Sequence, residues 1–385
     1  MVQELHIPGY SIVSKIAEGG MATVWKARQD KLDRVVAIKV LTRKPDGGED
    51  EFQRFIYEAR AAASLIHPNI VQVIDAGEQD GFMYYIMEFV PGPTAGELVE
   101  QGSVFDEPRM LQIAQDVAEA LDYAWREHHV VHCDIKPDNL LLHRNGRTKV
   151  ADLGLAQVTG VDSVAIEEGM TLGTPHYFPP EQALVEGQLD CRTDMYALGA
   201  TLYHLGTGTL PFGDLEPEEV ASEQVHGQLP NPKHVNPEMS YGMALLIERL
   251  MAKEREDRYS DWSEVMADLQ AVKEGRLIAN PLPAEVVSTV AHLEIPTAVV
   301  QENQARIRIA AGSTAPGARA MARRRRGGAP VQIRMQQPIR IAAGEARQLH
   351  AHRAKPAAGK SLWPVVTLLA ILSLFLYAVT FLQLR

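Results

Sequence analysis

His132-Cys133-Asp134-Ile135-Lys136-Pro137-Asp138-Asn139, running into Leu140-Leu141-Leu142, is the stretch on which the reading of this chain turns. Transfer of a phosphoryl group to a hydroxyl needs a carboxylate to orient that hydroxyl and take its proton, with a metal ligand close behind. Asp134 and Asn139 supply both. Asp, Pro and Asn also build ordinary turns, so the octet acquires its meaning from the segments around it.

With 385 residues, 46% apolar and 23% charged, the chain has the composition of a globular protein of one large or two ordinary domains. Its net charge of −11 conceals a division. Residues 303–360 hold 13 Lys/Arg against Glu345 alone, a balance of +12; Arg385 adds one more, so residues 1–302 carry −24. An acidic body on a basic tail argues against a nucleic-acid binder, and no nucleic-acid partner is expected. Cys133 and Cys191 are too few for a disulfide framework and fit a reducing compartment. Met1 to His6 lacks the basic and apolar regions of a signal peptide, so the body is expected to stay untranslocated.

Upstream of the octet the chain reads as strands. Ser11–Ala17, Thr23–Gln29 and Val35–Val40 are strand-like, with turns at Gly19-Gly20 and around 30–34. Asp50–Ile66 carries Phe52, Phe55, Ile56, Ala59, Ala63 and Ile66 at helical spacing, and His67-Pro68 stops it. Val71–Ala76 and Phe82–Phe89 then make two more strands. Beyond them the pattern turns helical. Pro108–His128 has Met110, Ile113, Ala114, Val117, Leu121, Ala124 and Trp125 on one face, and further helices are expected from Asp194, at Glu216–His226, at Tyr241–Met251 and at Asp261–Lys273.

Taken together, residues 9–275 resemble the eukaryotic-type protein kinases, in a bacterial-looking Ser/Thr form. The resemblance implies an α+β, bilobal fold: a small five-stranded β lobe with one helix, then a larger helical lobe. Ile16-Ala17-Glu18-Gly19-Gly20-Met21-Ala22-Thr23-Val24 resembles the family's glycine-rich loop over the ATP phosphates, with Ala17 and Ala22 where its first and third glycines stand. In Val36-Ala37-Ile38-Lys39 the match makes Lys39 the clamp of the α- and β-phosphates and puts Ala37 against the nucleotide. Glu58 is the implied ion-pair partner of Lys39. Met87-Glu88-Phe89-Val90 resembles the interlobe hinge, where Glu88 and Val90 would meet the adenine edge above Leu141. Asp134 is the implied catalytic base, Lys136 matches the Ser/Thr-kinase pattern, and Asn139 and Asp152 would hold Mg²⁺. ATP and Mg²⁺ are thus the expected cofactors, and Ser/Thr hydroxyls of proteins the expected acceptors.

Two departures and three supporting residues complete the match. Leu153 replaces the usual phenylalanine after Asp152, and Cys133 replaces the arginine that normally receives an activation-loop phosphate, which weakens the case for such a switch. Thr174-Pro175-His176-Tyr177-Phe178-Pro179-Pro180-Glu181 resembles the substrate-docking segment. Glu181 is expected to pair with Arg258, and Asp194 to brace the backbone of the catalytic loop.

The tail reads differently. Residues 276–361 are expected to be a basic, largely disordered linker, and the recurring Ile-Arg-Ile-Ala-Ala-Gly at 307–312 and 339–344 reads as compositional. Leu362–Leu384 contains no charged residue and at ~1.5 Å per residue spans about 34 Å, enough for a single transmembrane helix. Basic residues before it and Arg385 alone after it put the body on the cytoplasmic side of the cell membrane, with anionic lipid a partner for Arg323–Arg326. A homodimer is left open. The alternatives weighed are a nucleotide-binding pseudokinase acting as a membrane scaffold and a membrane adaptor without nucleotide; retention of Lys39, Asp134, Asn139 and Asp152 favours the active enzyme.

Overall fold

The β-branched run at Val35–Val40 becomes the centre of β3 (Arg34–Leu41) in the computed structural model of the chain. The structure describes residues 5–19, 22–41, 59–60, 62–79, 81–152, 157–158, 174–184 and 189–313. Around β3 lie β1 (Tyr10–Glu18), β2 (Ala22–Gln29), β4 (Val73–Gln79) and β5 (Phe82–Glu88), in the antiparallel order β1-β2-β3-β5-β4. Alternation divides β3 between two faces. Val36, Ile38 and Val40 join Ile7, Ala27 and Ile86 in the small-lobe core, leaving Ala37 and Lys39 on the opposite face. Burying a side chain such as Ile38, at 0% exposure, is worth about 1.5–3 kcal/mol, so the β3 register is strongly specified.

The expected helix face before His67 needs correction. Ala59, Ala62 and Leu65 are buried, whereas Ala63 is exposed and Ile66 is 73% exposed. The helical residues stop at 64, so Leu65 and Ile66 lie past the helix end and the helical period does not govern them; packing against the large core, which contains Ala59, Ala62 and Leu65, decides which side is covered. Glu58 and the rest of 50–58 lie outside the described residues.

The helical lobe is assembled on α2 (Glu107–His128), which follows the short α1 (Ala95–Glu100). Asp106 caps α2 by accepting the Arg109 N–H, and His129 ends it in the left-handed region at φ 53°. Its buried face includes Met110, Ile113, Val117 and Leu121 as the spacing predicts, and also Asp116. Strands β6 (Val130–Val131), β7 (Leu140–Leu142), β8 (Thr148–Val150) and β9 (Gln157–Val158) follow, β7 pairing with β8 and β6 with β9. After α3 (Pro180–Ala183), α4 (Cys191–Thr207) is buried on nearly all sides and stops at Gly208, whose φ of 68° suits a residue without Cβ. Helices α5 (Pro217–His226), α6 (Pro232–Val235), α7 (Tyr241–Leu250) and α8 (Trp262–Lys273) complete the lobe.

Packing does not end at 275, where the linker was expected to begin. Ile278, Val290 and Leu293 are buried in the large core, Leu282 is buried as well, Leu229 bridges Val290 and Ala252 bridges Ser288, and α9 (Thr297–Ser313) follows. Isolated apolar residues without periodicity give a docked strap no local signature, which is why this segment read as linker. Among the described residues no helix is long and apolar enough to cross a membrane, and the expected span at 362–384 lies outside them.

Candidate active site

Two short loops meet where the small sheet faces β7 and β8. After β6 the chain enters the octet; after β8 it reaches Asp152. His132 stitches these together: its Nδ1 accepts the Asp134 N–H at 3.3 Å and its Nε2 lies 3.2 Å from the Ala151 carbonyl. The first contact needs a bare nitrogen and the second a protonated one, so the ring is the Nε2–H tautomer. Ala151 in turn donates its N–H to the Asn139 carbonyl at 2.9 Å.

Asp194, wholly buried near the start of α4, accepts the N–H groups of His132 and Cys133, each at 2.8 Å. Burial pushes its pKa up, and those two N–H donors oppose the shift. Cys133 and Asp152 both have φ 65°, a left-handed conformation that costs on the order of 1–3 kcal/mol at a residue with a Cβ. Asp194 and the Asn139–Ala151 bond hold the backbone in it. The Cys133 side chain, 3% exposed, packs with Val131 and Leu189, so its place is an apolar pocket.

The charged groups converge on Asp134. Its Oδ2 accepts from Asn139 Nδ2 at 3.0 Å and pairs with Lys136 Nζ at 2.9 Å, and Asn139 Nδ2 also reaches the Asp134 carbonyl at 2.8 Å. Lys136 Nζ donates onward to Thr174 Oγ1 at 3.1 Å. Lys39 on β3 forms an ion pair with Asp152 Oδ1 and lies 5.7 Å from the Tyr85 ring centroid. Asn139, donating through nitrogen, leaves its amide oxygen to serve as a ligand beside the Asp152 carboxylate. Two oxygen donors suit Mg²⁺, which keeps waters and takes phosphate oxygens for the rest of its octahedron. Among the described residues no group of three or more His, Cys, Asp or Glu forms a metal cage.

Leu141 is half-buried between the fully packed Leu140 and Leu142. The Glu88 N–H donates to the Gln72 carbonyl at 3.0 Å, and its Oε1 accepts from the Gln72 N–H at 2.9 Å and Lys149 Nζ at 2.6 Å. Val90 is buried. Gly92, two residues on, has φ 152°, and a Cβ there would lie 2.0 Å from the Leu142 carbonyl oxygen, so the hinge tolerates only glycine. In the β1–β2 hairpin Ala17 pairs with Val24 and Glu18 with Thr23, and Gly19 donates to the Ala22 carbonyl at 2.9 Å. Neither Ala17 nor Ala22 has a positive φ, so alanine fits both places. Gly20 and Met21 lie outside the described residues.

Below the octet, Arg258 Nη1 and Nη2 grip Glu181 Oε1 and Oε2 at 2.7 and 2.8 Å. The protein kinase domain family matches residues 10–270. The chain belongs to the protein kinase family. It is 36% identical over 265 residues to a probable serine/threonine-protein kinase of Clostridium perfringens, covering 69% of this chain and 38% of that one. It is 36% identical over 263 residues to the serine/threonine-protein kinase PrkC of Bacillus subtilis (68% and 40%), and 37% over 284 residues to pkn3 of Myxococcus xanthus (71% and 52%). The chain thus spans about two fifths to one half of the length of these curated relatives.

Several residues that shape the kinase site were missed in the sequence. Asp116 accepts the Thr148 N–H at 2.6 Å, and Asn69 Nδ2 donates to the Thr148 carbonyl at 2.9 Å, fixing the hairpin under Asp152. Gln182 Nε2 donates to the Cys133 carbonyl at 3.1 Å. An acidic residue beside the apolar stripe of α2 was the one available signal for Asp116; Asn69 and Gln182 had none.

His204 introduces an acid sensitivity. The Tyr177 hydroxyl lies 2.8 Å from His204 Nδ1, and burial with the nearby His176 lowers the imidazole to about 4. Burial raises the Tyr177 phenol, which therefore stays a donor and requires a bare Nδ1. A folded pKa below the unfolded 6.5 means this stability is complete above pH 6.5 and is lost as pH falls toward 4. The unfolding midpoint is expected to fall across that window. His204→Gln should flatten this part of a Tm-against-pH profile, and an unchanged slope would refute the assignment.

Proposed function

We propose that this chain is a serine/threonine protein kinase that transfers the γ-phosphoryl group of ATP to Ser/Thr hydroxyls of protein substrates. The observation that carries the reading is Lys136 Nζ, shared between Asp134 Oδ2 and Thr174 Oγ1, which ties an acceptor-only carboxylate to the docking segment. Asp134 orients the incoming hydroxyl and takes its proton; Lys136 steadies the charge beside it. Bound Mg-ATP supplies the phosphoryl group and the cation that neutralises it. Lys39, with Glu58 as its proposed partner, holds the α- and β-phosphates, and Asn139 and Asp152 hold the metal. The hairpin of 16–24 covers the phosphates, and Ala37, Leu141, the Glu88 carbonyl and Val90 enclose the adenine. Relatives named as serine/threonine-protein kinases support the acceptor class. A pseudokinase scaffold would have no use for a base, two metal ligands and a phosphate clamp in one cleft.

We also propose that Leu362–Leu384 anchors the chain in the cell membrane as a single pass, with the kinase body cytoplasmic and the basic tail near anionic lipid. The support is the uncharged run and the basic residues ahead of it. The kinase reading is tested by incubating the full chain and an acceptor protein with Mg-ATP and mapping new phosphate by mass spectrometry. Phosphoserine and phosphothreonine are expected; phosphotyrosine alone, or no phosphate, would defeat it.

A further inference from the structure

Tyr196, in α4, has no exposed surface and lies between two segments that are distant in sequence. Its hydroxyl donates to Gln224 Oε1 at 2.5 Å and lies 2.7 Å from Thr289 Oγ1. A phenol has one proton, and with that proton on Gln224 the Thr289 hydroxyl must be the donor to the Tyr196 oxygen. Occupation of Oε1 leaves Gln224 to present its NH₂ group, which donates to the Pro175 carbonyl at 3.1 Å and the His176 carbonyl at 2.7 Å. The direction of every bond is therefore set, from Thr289 to the docking segment. Such a relay polarises in one sense, and each bond strengthens the next in a dry interior.

Thr289 is well fixed as the origin of the relay. Its N–H donates to the Met251 carbonyl at 2.9 Å and its carbonyl accepts from Leu229 N–H at 2.6 Å. Next to it, Ser288 Oγ donates to the Glu248 carbonyl at 2.7 Å, and His292 Nδ1 meets Glu248 Oε1 at 2.7 Å. Thr289 also lies beyond residue 270, where the family match ends. At the other end of the docking segment, Arg258, 5.0 Å from the Tyr196 ring centroid, grips Glu181. Tyr196 thus touches both supports of residues 175–181.

We propose that Thr289 and Gln224 are positioning residues for the protein substrate: the strap after the kinase domain holds the docking segment in shape through Tyr196. The inference rests on the kinase reading for its consequence, and on the relay alone for its geometry. Thr289 touches no proposed nucleotide contact, so its hydroxyl should affect the acceptor and not ATP.

The test compares the full-length wild type with Thr289→Val, which removes the hydroxyl at nearly constant shape, and Thr289→Ser, which restores it. Backbone hydrogen exchange of residues 174–184 is measured alongside KM for myelin basic protein and for ATP. In Thr289→Val, exchange in 174–184 should rise about three- to tenfold, the factor expected for one net hydrogen bond, with acceptor KM rising similarly and ATP KM unchanged. Thr289→Ser should return both to wild type. Unchanged exchange in Thr289→Val, or a rise spread equally over α2 and α4 that serine does not reverse, would overturn the proposal. Absence of transfer by the wild type would strike the kinase reading instead, because exchange decides the strap's hold without any catalysis.

Discussion

Asp134→Asn should lower phosphoryl transfer by roughly 10²–10⁴-fold, the range for loss of a positioned general base, while ATP affinity stays near that of the wild type. The amide oxygen can still accept from Asn139 and Lys136, which now contact Oδ2 at 3.0 and 2.9 Å, so the loop should keep its shape. What the amide lacks is the capacity to take a proton. Asp152→Ala should fail differently. It removes the carboxylate that Lys39 contacts and the proposed metal ligand, so Mg²⁺-dependent nucleotide affinity should fall together with turnover. Calorimetric titration of Mg-ATP beside a single-turnover assay separates the two, and turnover within twofold of wild type in either variant would defeat these assignments.

Arg258→Ala should cause a large loss of stability although it lies outside the cleft. All five guanidinium N–H groups are placed: Nη1 and Nη2 on Glu181, with the remaining hydrogens on the carbonyls of Ala252, Arg192 and Lys253. Arg258 is 2% exposed and Glu181 8%, so truncation leaves the Glu181 carboxylate away from water without its cation, with the Thr193 hydroxyl at 3.3 Å its remaining side-chain donor. Breaking a buried pair from one side costs about 3–5 kcal/mol, which in a domain of this size lowers Tm on the order of 10 °C. Replacing both partners by apolar residues, as in Glu181→Leu with Arg258→Met, should recover part of that loss because no buried charge is left alone. A thermal scan of Arg258→Ala within 1 °C of wild type would show the pair to be dispensable. The same variant should weaken acceptor phosphorylation more than ATP binding, since Glu181 anchors the docking segment.

Chemistry confined to short stretches was determined by the sequence alone. Val36 to Lys39 reads as a strand with a cation on one face, and the octet carries Asp134, Lys136 and Asn139 within reach of one another because few residues separate them. The Glu181–Arg258 pair and the brace from Asp194 were also legible, through the order of motifs that the family shares. Tertiary structure decided what local pattern leaves degenerate. Ala62 and Leu65, not Ala63 and Ile66, face the core, because the helical residues stop at 64 and beyond them the direction of a side chain is set by what packs on it and not by the helical period. His132 as the tie to Ala151, and Asp116 as the support of Thr148, depend on side chains meeting backbone 19 and 32 residues away. The strap was the least legible of all. Thr289 meets Tyr196 across 93 residues, and a hydrogen bond at that separation imposes no periodicity on the sequence at either end; only the closed core brings the two hydroxyls together.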